Sequence, residues 1–234
     1  MLIEQPPFLY RALFPGAIWR IISREEKQVF LTFDDGPVPE VTPWVLDVLD
    51  KYNIKATFFC VGDNIRKHPD VYQEILNRGH LTGNHTFNHL QGWKTRTKNY
   101  IENVNKAESY IKTSLFRPPH GHIRFFQLKF LMSRYNVIMW DVVTRDYSKK
   151  VSKEQVVENV KKYTRNGSII VFHDSLKAEK NLHYALPQSI EYLLNEGYSF
   201  KLIQNPDTST NETSKNKCSS IIRPKEDLIP VDFL

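Results

Sequence analysis

The chain has 234 residues, which suits one or two domains and is about the length of a single large α/β barrel. Hydrophobic residues make up 41% and charged residues 25%, the balance of a globular chain whose core needs no disulfide framework. The net charge is +6, but no basic block interleaved with aromatics marks a nucleic-acid groove, so nucleic acid is excluded as a partner; a basic balance suits anionic glycan or envelope surfaces.

The first segment, MLIEQPPFLYRALFPGAIWRIIS, is aromatic and apolar but broken by Arg11, Pro15 and Arg20. It has neither the basic start and unbroken apolar core of a signal peptide nor the about 20 apolar residues of a spanning helix. Residues 1–27 are read as a segment packed on the domain, with a membrane-surface contact as the second reading. The expected location is cytoplasmic, with envelope association as the alternative, and no transmembrane segment is expected.

From residue 28 the pattern alternates between strand and helix. QVFLTF (28–33) reads as a strand, followed by a helix with Val41, Val45, Val48, Leu49 and Tyr52 on one face. KATFFCV (55–61) is the second strand, and a helix then runs to Gly79, its C′ glycine. HLTG (80–83) is the third strand, and Tyr100, Val104, Ala107 and Ile111 mark the next helix. SLFRP (114–118) is the fourth strand, residues 122–135 are helical, and NVIMWDV (136–142) is the fifth. Ser152 and Gln155 make a capping-box pattern ahead of Val156 and Val160. Gly167 precedes the sixth strand, SIIVFH (168–173); a helix around Leu186, Ile190, Leu193 and Leu194 leads to YSFKLI (198–203).

Repeated β-then-α order implies parallel strands with helices outside, either an open doubly wound sheet or a closed barrel. After Gln204 the chain turns polar and aperiodic, so residues 205–234 are read as a flexible tail and 28–204 as one domain. Cys60 lies in an apolar run and reads as a buried thiol; Cys218 lies in the tail.

The ionisable residues fall at strand ends. Asp34 and Asp35 close the first strand, His85 and His89 follow the third, and Arg117 closes the fourth. Asp146 follows the fifth, and His173 and Asp174 close the sixth. In parallel α/β folds these ends share the face that carries the active site, so these side chains converge on one mouth.

Taken singly, each piece has a plain reading. DDGP (34–37) suits a turn; it also sets two carboxylates side by side, a repulsion that a cation relieves. HTFNH (85–89) has the i, i+4 histidine spacing that suits one metal on a helix, and chance gives the same spacing on a surface. With a carboxylate from the first strand the set becomes two imidazoles and one oxygen, leaving positions open for water and substrate. Zn fits that set, as do Co, Ni, Fe and Mn. Thr86 is placed to bond within the loop. RPPHG (117–121) is a stiff loop whose Arg117 can fork onto a carboxylate and whose backbone can aim an N–H. His173, opposite a metal, reads as a proton donor. Trp93 follows the histidine pair closely, which puts it near the metal loop, as a core aromatic or as a face on which a ring-shaped substrate can stack.

Together these residues resemble the polysaccharide deacetylases, the NodB-homology domain of carbohydrate esterase family four. TFDDGP (32–37), HTFNH (85–89), RPPHG (117–121), RDY (145–147) and VFHD (171–174) match five family motifs in the family's order. The resemblance implies a distorted (β/α) barrel of about seven parallel strands. It implies Asp34 as general base, Asp35 with His85 and His89 as metal ligands, Arg117 orienting Asp34, and His173 as general acid tuned by Asp146. The backbone N–H of His120, after Pro119, would help bind an oxyanion. His120 stands where the family usually has Tyr, Tyr147 where it often has Trp, and Val171 where it often has Leu; each change reshapes the acetyl pocket. The implied activity is removal of N-acetyl groups from a chitin-like or peptidoglycan-like glycan, using a divalent ion and the water it activates. The alternatives are a non-catalytic glycan-binding domain with a vestigial metal site, and an O-acetyl esterase of the same mechanism.

Overall fold

The structure is a computed structural model that describes residues 4–203. The expected tail and Cys218 lie outside the described residues. Strand β1 (Gln28–Asp34) is buried along its whole length because it pairs in parallel with β2 (Thr57–Cys60) and with β7 (Ser168–His173). The sheet continues from β2 through β3 (Leu81–Asn84) and β4 (Leu115–Phe116) to β5 (Asn136–Val137), and on the other side from β7 to β6 (Val142–Val143). β8 (Ser199–Phe200) pairs with the start of β1. Every one of these pairings is parallel, in a curled half-barrel of the expected class.

Strand alternation sorts the side chains. On β1, Val29, Leu31 and Phe33 join the main core under the helices, while Phe30 joins a second cluster with Phe59, Ile138 and Ile169. Thr32 and Asp34 share the side of Phe30. The strand that begins as apolar packing therefore ends by presenting a carboxylate on the inner face.

The helices carry the expected apolar faces apart from Leu194, which is exposed on the last of them. They are α2 (Thr42–Lys51), α3 (Gly62–Lys67), α4 (Pro69–Asn77), α5 (Thr97–Glu108), α6 (Phe125–Met132), α7 (Lys153–Tyr163) and α8 (Glu179–Asn195). Tyr100, Val104, Ala107 and Ile111 are all buried. Ser152 caps α7 by accepting the Gln155 N–H at 3.2 Å. The single helix expected up to Gly79 is two, because the Pro69 ring suits the first position of a new helix. Gly79 then ends α4 with φ +77°, the left-handed cap expected of it.

The fifth strand differs from its expected form. Residues 136–142 do not form one strand: β5 pairs with β4, and β6 pairs with β7. Between them the carbonyls of Ile138 and Met139 accept hydrogen bonds from the Arg117 side chain at 3.2 and 3.1 Å. A buried guanidinium thus takes acceptors that a neighbouring strand would have used.

The N-terminal arm packs across this break. Its short helix α1 (Phe8–Ala12) leads to Ile18, which forms a parallel bridge with Ile138, and Arg20 bridges Ser168. Arg11 meets the fully buried Asp141 at 2.5 Å, and Asp141 also takes Arg165 and the Ser168 hydroxyl. Among the described residues, no helix is long and apolar enough to cross a membrane. Cys60 is a buried free thiol, as expected.

Candidate active site

β1 and β7 run in register, so Asp34 lies beside His173 at the ends of neighbouring strands. Asp35 follows with φ +84°, a conformation rare outside glycine, and this reverses the chain direction within one residue of the strand. Gly36 comes next, and a Cβ there would lie 1.9 Å from the Asp174 carboxylate. That carboxylate instead accepts the Gly36 N–H at 3.0 Å and the Thr42 hydroxyl at 2.7 Å, tying the DDGP turn to the end of β7. Burial pushes Asp174 up to about 8, against the pull of those two donors.

HTFNH is not helical, and the two histidines do not meet through helical spacing. Positive φ angles at Thr86 (64°) and His89 (54°) fold the segment into a compact loop instead. Thr86 braces it as expected, its Oγ1 accepting the Leu90 N–H at 3.0 Å. The result brings one donor atom each from Asp35, His85 and His89 within 4.8 Å of one another.

The donor set fits a divalent cation. His85 donates its Nδ1–H to the Arg117 carbonyl at 2.8 Å, which leaves Nε2 with its lone pair facing the group. Burial lowers His85 to about 4, so it is neutral and able to ligate at neutral pH. His89 Nε2 lies 3.1 Å and His85 Nε2 3.9 Å from the same Asp35 oxygen. Burial alone would raise Asp35, but the His89 hydrogen bond and the nearby imidazoles hold it well below the usual carboxylate range.

Arg117 lies behind Asp34 and is fully buried. Its Nη1 meets Asp34 Oδ1 at 2.6 Å and Thr32 Oγ1 at 2.9 Å, and its plane lies over the Phe59 ring at 4.0 Å. The remaining oxygen, Asp34 Oδ2, lies 3.9 Å from His85 Nε2. Opposite, His173 donates Nδ1–H to Asp146 at 2.8 Å, and its backbone N–H reaches the other Asp146 oxygen at 2.7 Å. Burial lowers the His173 imidazole, but the charge and hydrogen bond of Asp146, with Asp35 and Asp34 beyond it, lift it to about 9.

The mouth is a cleft of about 650 Å³ lined by nine of the expected residues: Asp34, Asp35, His85, His89, Trp93, His120, Tyr147, Val171 and His173. Arg117, Pro119 and Asp146 lie buried and do not line it. His120 adopts φ 59°, and among the described residues its backbone N–H has no protein acceptor. Its ring lies 4.7 Å from that of His89. Tyr147 meets His173 edge-on at 4.6 Å.

Six further lining residues escaped the sequence reading: Pro6, Tyr10, His122, Trp140, Val143 and Lys177. Pro6 and Tyr10 come from the arm. His122 stacks on Trp93 at 4.1 Å and 10°, while the Trp93 Nε1–H is fixed to the Ile123 carbonyl at 2.9 Å. Trp140 rests on Gly121, where a Cβ would meet its ring at 2.5 Å. Only the HxH spacing of His120 and His122 offered a sequence signal for any of them.

The chain is similar to known proteins in sequence and in fold. The polysaccharide deacetylase family matches residues 22–127. A peptidoglycan-N-acetylglucosamine deacetylase of Bacillus cereus is 34% identical over 187 residues, covering 76% of this chain and 87% of that protein. The chain belongs to the polysaccharide deacetylase family. A second Bacillus cereus protein of the same name is 37% identical over 155 residues, 63% of this chain; the match spans only 56% of that relative's length. Among solved structures, a peptidoglycan N-acetylglucosamine deacetylase in complex with 4-naphthalen-1-yl-N-oxidanyl-benzamide superposes with a TM-score of 0.77 at 32% identity. That superposition covers 85% of this chain and 95% of that one.

Proposed function

We propose that this chain hydrolyses the N-acetyl groups of an N-acetylated glycan, with peptidoglycan-type N-acetylglucosamine as its leading substrate. The observation that carries this reading is the pairing of Asp34 and His173 in register beside the Asp35–His85–His89 group. The two relatives above are named for that substrate, and the single domain proposed for residues 28–204 contains every group the chemistry needs.

Asp35, His85 and His89 would hold a divalent ion, with Zn the leading candidate for a two-imidazole, one-carboxylate set. Bound there, the ion supplies Lewis acidity to the acetyl carbonyl and acidifies a water. Asp34, with one oxygen fixed by Arg117 and the other toward the cleft, takes the proton of the attacking water. The His120 N–H donates to the oxyanion as the carbonyl becomes tetrahedral; one such donor is typically worth about 3–4 kcal/mol. His173 gives its proton to the departing amine, which cannot leave as an anion. Asp146 holds the imidazole in the tautomer and orientation for that transfer. Acid–base steps of this kind typically contribute roughly 10²–10⁴-fold each.

The Trp93–His122 pair offers a fixed plane for one sugar ring, and Tyr147 and Val171 shape the acetyl pocket. A substrate of this kind supports envelope association over the cytoplasmic location. The test is acetate release from N-acetylglucosamine oligomers and from an O-acetylated sugar, by the natural chain and by Asp34→Ala and His173→Ala. We expect release from the amide, lost by at least about 100-fold in each variant with the fold kept. Unchanged turnover in either variant would remove its assigned role, and release from the ester alone would reassign the substrate.

A further inference from the structure

α6 is apolar on nearly every side. Gln127, Leu128 and Leu131 are buried, yet Phe125, Phe126 and Phe130 on the other side remain 59%, 73% and 47% exposed. A helix of that composition normally lies inside a core. The arm repeats the pattern: Phe8, Leu9 and Leu13 are 81%, 80% and 66% exposed. The two elements adjoin. Phe14 and Trp19 of the arm share one core cluster with Leu128 and Leu131, and Met132 at the end of α6 rests against Gly16. Their exposed aromatics and leucines therefore form a neighbouring apolar surface, larger than scattered exposed side chains account for.

The charge on the two segments that carry this surface is of one sign. No Asp or Glu occurs from Gln5 to Ile22 or from Ser109 to Trp140, while Arg124 and Lys129 lie within or beside α6. Lys129 has no ion pair among the described residues, and Arg124 spends its Nη2 on the Trp93 carbonyl. A second copy of this chain, docked face to face, would set these cations against each other. Phenylalanine and leucine beside Arg124 and Lys129, on two segments that themselves carry no acid, is the chemistry that inserts shallowly into an anionic lipid surface.

We propose that the α1–α6 surface docks the protein on an anionic phospholipid bilayer. The cleft lies alongside: Pro6 and Tyr10 belong to the same arm, and His122 stands three residues before α6. Docking would present the cleft to glycan close to the membrane. The inference rests on the surface and not on the reaction, so it stands or falls apart from the proposed activity.

The test is co-sedimentation with phosphatidylglycerol vesicles and, separately, phosphatidylcholine vesicles, at low and high salt. The natural chain should pellet with phosphatidylglycerol, at least about tenfold less with phosphatidylcholine, and less at high salt. Phe125→Ser with Phe126→Ser, and Lys129→Glu, should each weaken pelleting, the double variant by about tenfold or more. These positions lie on the surface and outside the cleft, so melting temperature and hydrolysis of a soluble oligosaccharide should not change. A natural chain that stays in the supernatant with phosphatidylglycerol, or a double variant that pellets equally well, overturns the proposal. So does a dimer, seen by light scattering without lipid, that the double variant dissolves.

Discussion

Arg117 connects most of the site. One side chain holds Asp34, Thr32 and two carbonyls of the broken fifth strand, while its own carbonyl fixes His85. Arg117→Met would leave the Asp34 carboxylate buried without a partner. Loss of one member of a buried pair typically costs about 3–5 kcal/mol, so urea denaturation should show a loss of that size together with loss of turnover. His173 gives a prediction in pH. Held at about 9, the imidazole keeps its proton at neutral pH and loses it as pH rises through that value, so turnover should fall on the alkaline side. Asp146→Asn removes the charge that lifts it, and the alkaline limb of kcat should move to lower pH; a limb that stays in place would separate Asp146 from the acid. At this scale the sequence was most legible where polar residues terminate apolar strands, as at Asp34, Arg117 and His173. Tyr10, Trp140 and Val143 were illegible because they sit among apolar neighbours and differ from core residues only in where the fold turns them.

At the scale of elements, helical period survived well and short strands did not. α5 shows its buried face at the spacing read from Tyr100 to Ala107, and Ile111 is buried just beyond its end. β4 is only Leu115–Phe116, and the fifth strand splits because a distant guanidinium takes its carbonyls, which no local pattern records. The histidine pair converges through left-handed backbone at Thr86 and His89, so i, i+4 spacing pointed to the right ligands by a geometry other than the helical one. β3 carries a tighter constraint. Gly83 stands opposite Phe59, and a Cβ there would lie 2.4 Å from that ring, which itself packs on Arg117. Gly83→Ala should therefore destabilise by about 1–3 kcal/mol in thermal or chemical unfolding, and it should lower turnover as well, because the displaced ring supports Arg117.

Over the whole molecule, the barrel and the arm build the cleft together. The strand ends supply the reacting groups, and Pro6 and Tyr10 of the arm supply part of the wall. Convergence of strand ends was readable in advance from β-then-α order; the arm's share was not, because its packing depends on the Arg11–Asp141 pair and on the gap between β5 and β6. Ligands from two segments far apart in the chain, Asp35 in one and His85 with His89 in the other, also couple the ion to the fold. An ion present at about 100 times its Kd should stabilise the protein by about 2.7 kcal/mol, read as a higher melting temperature. The decisive measurement is acetate release from an N-acetylglucosamine oligomer by chelator-stripped protein as Zn is titrated back. The account predicts no release from stripped protein, recovery at one ion per chain, and no recovery in His85→Ala. Full turnover by the stripped protein would contradict it.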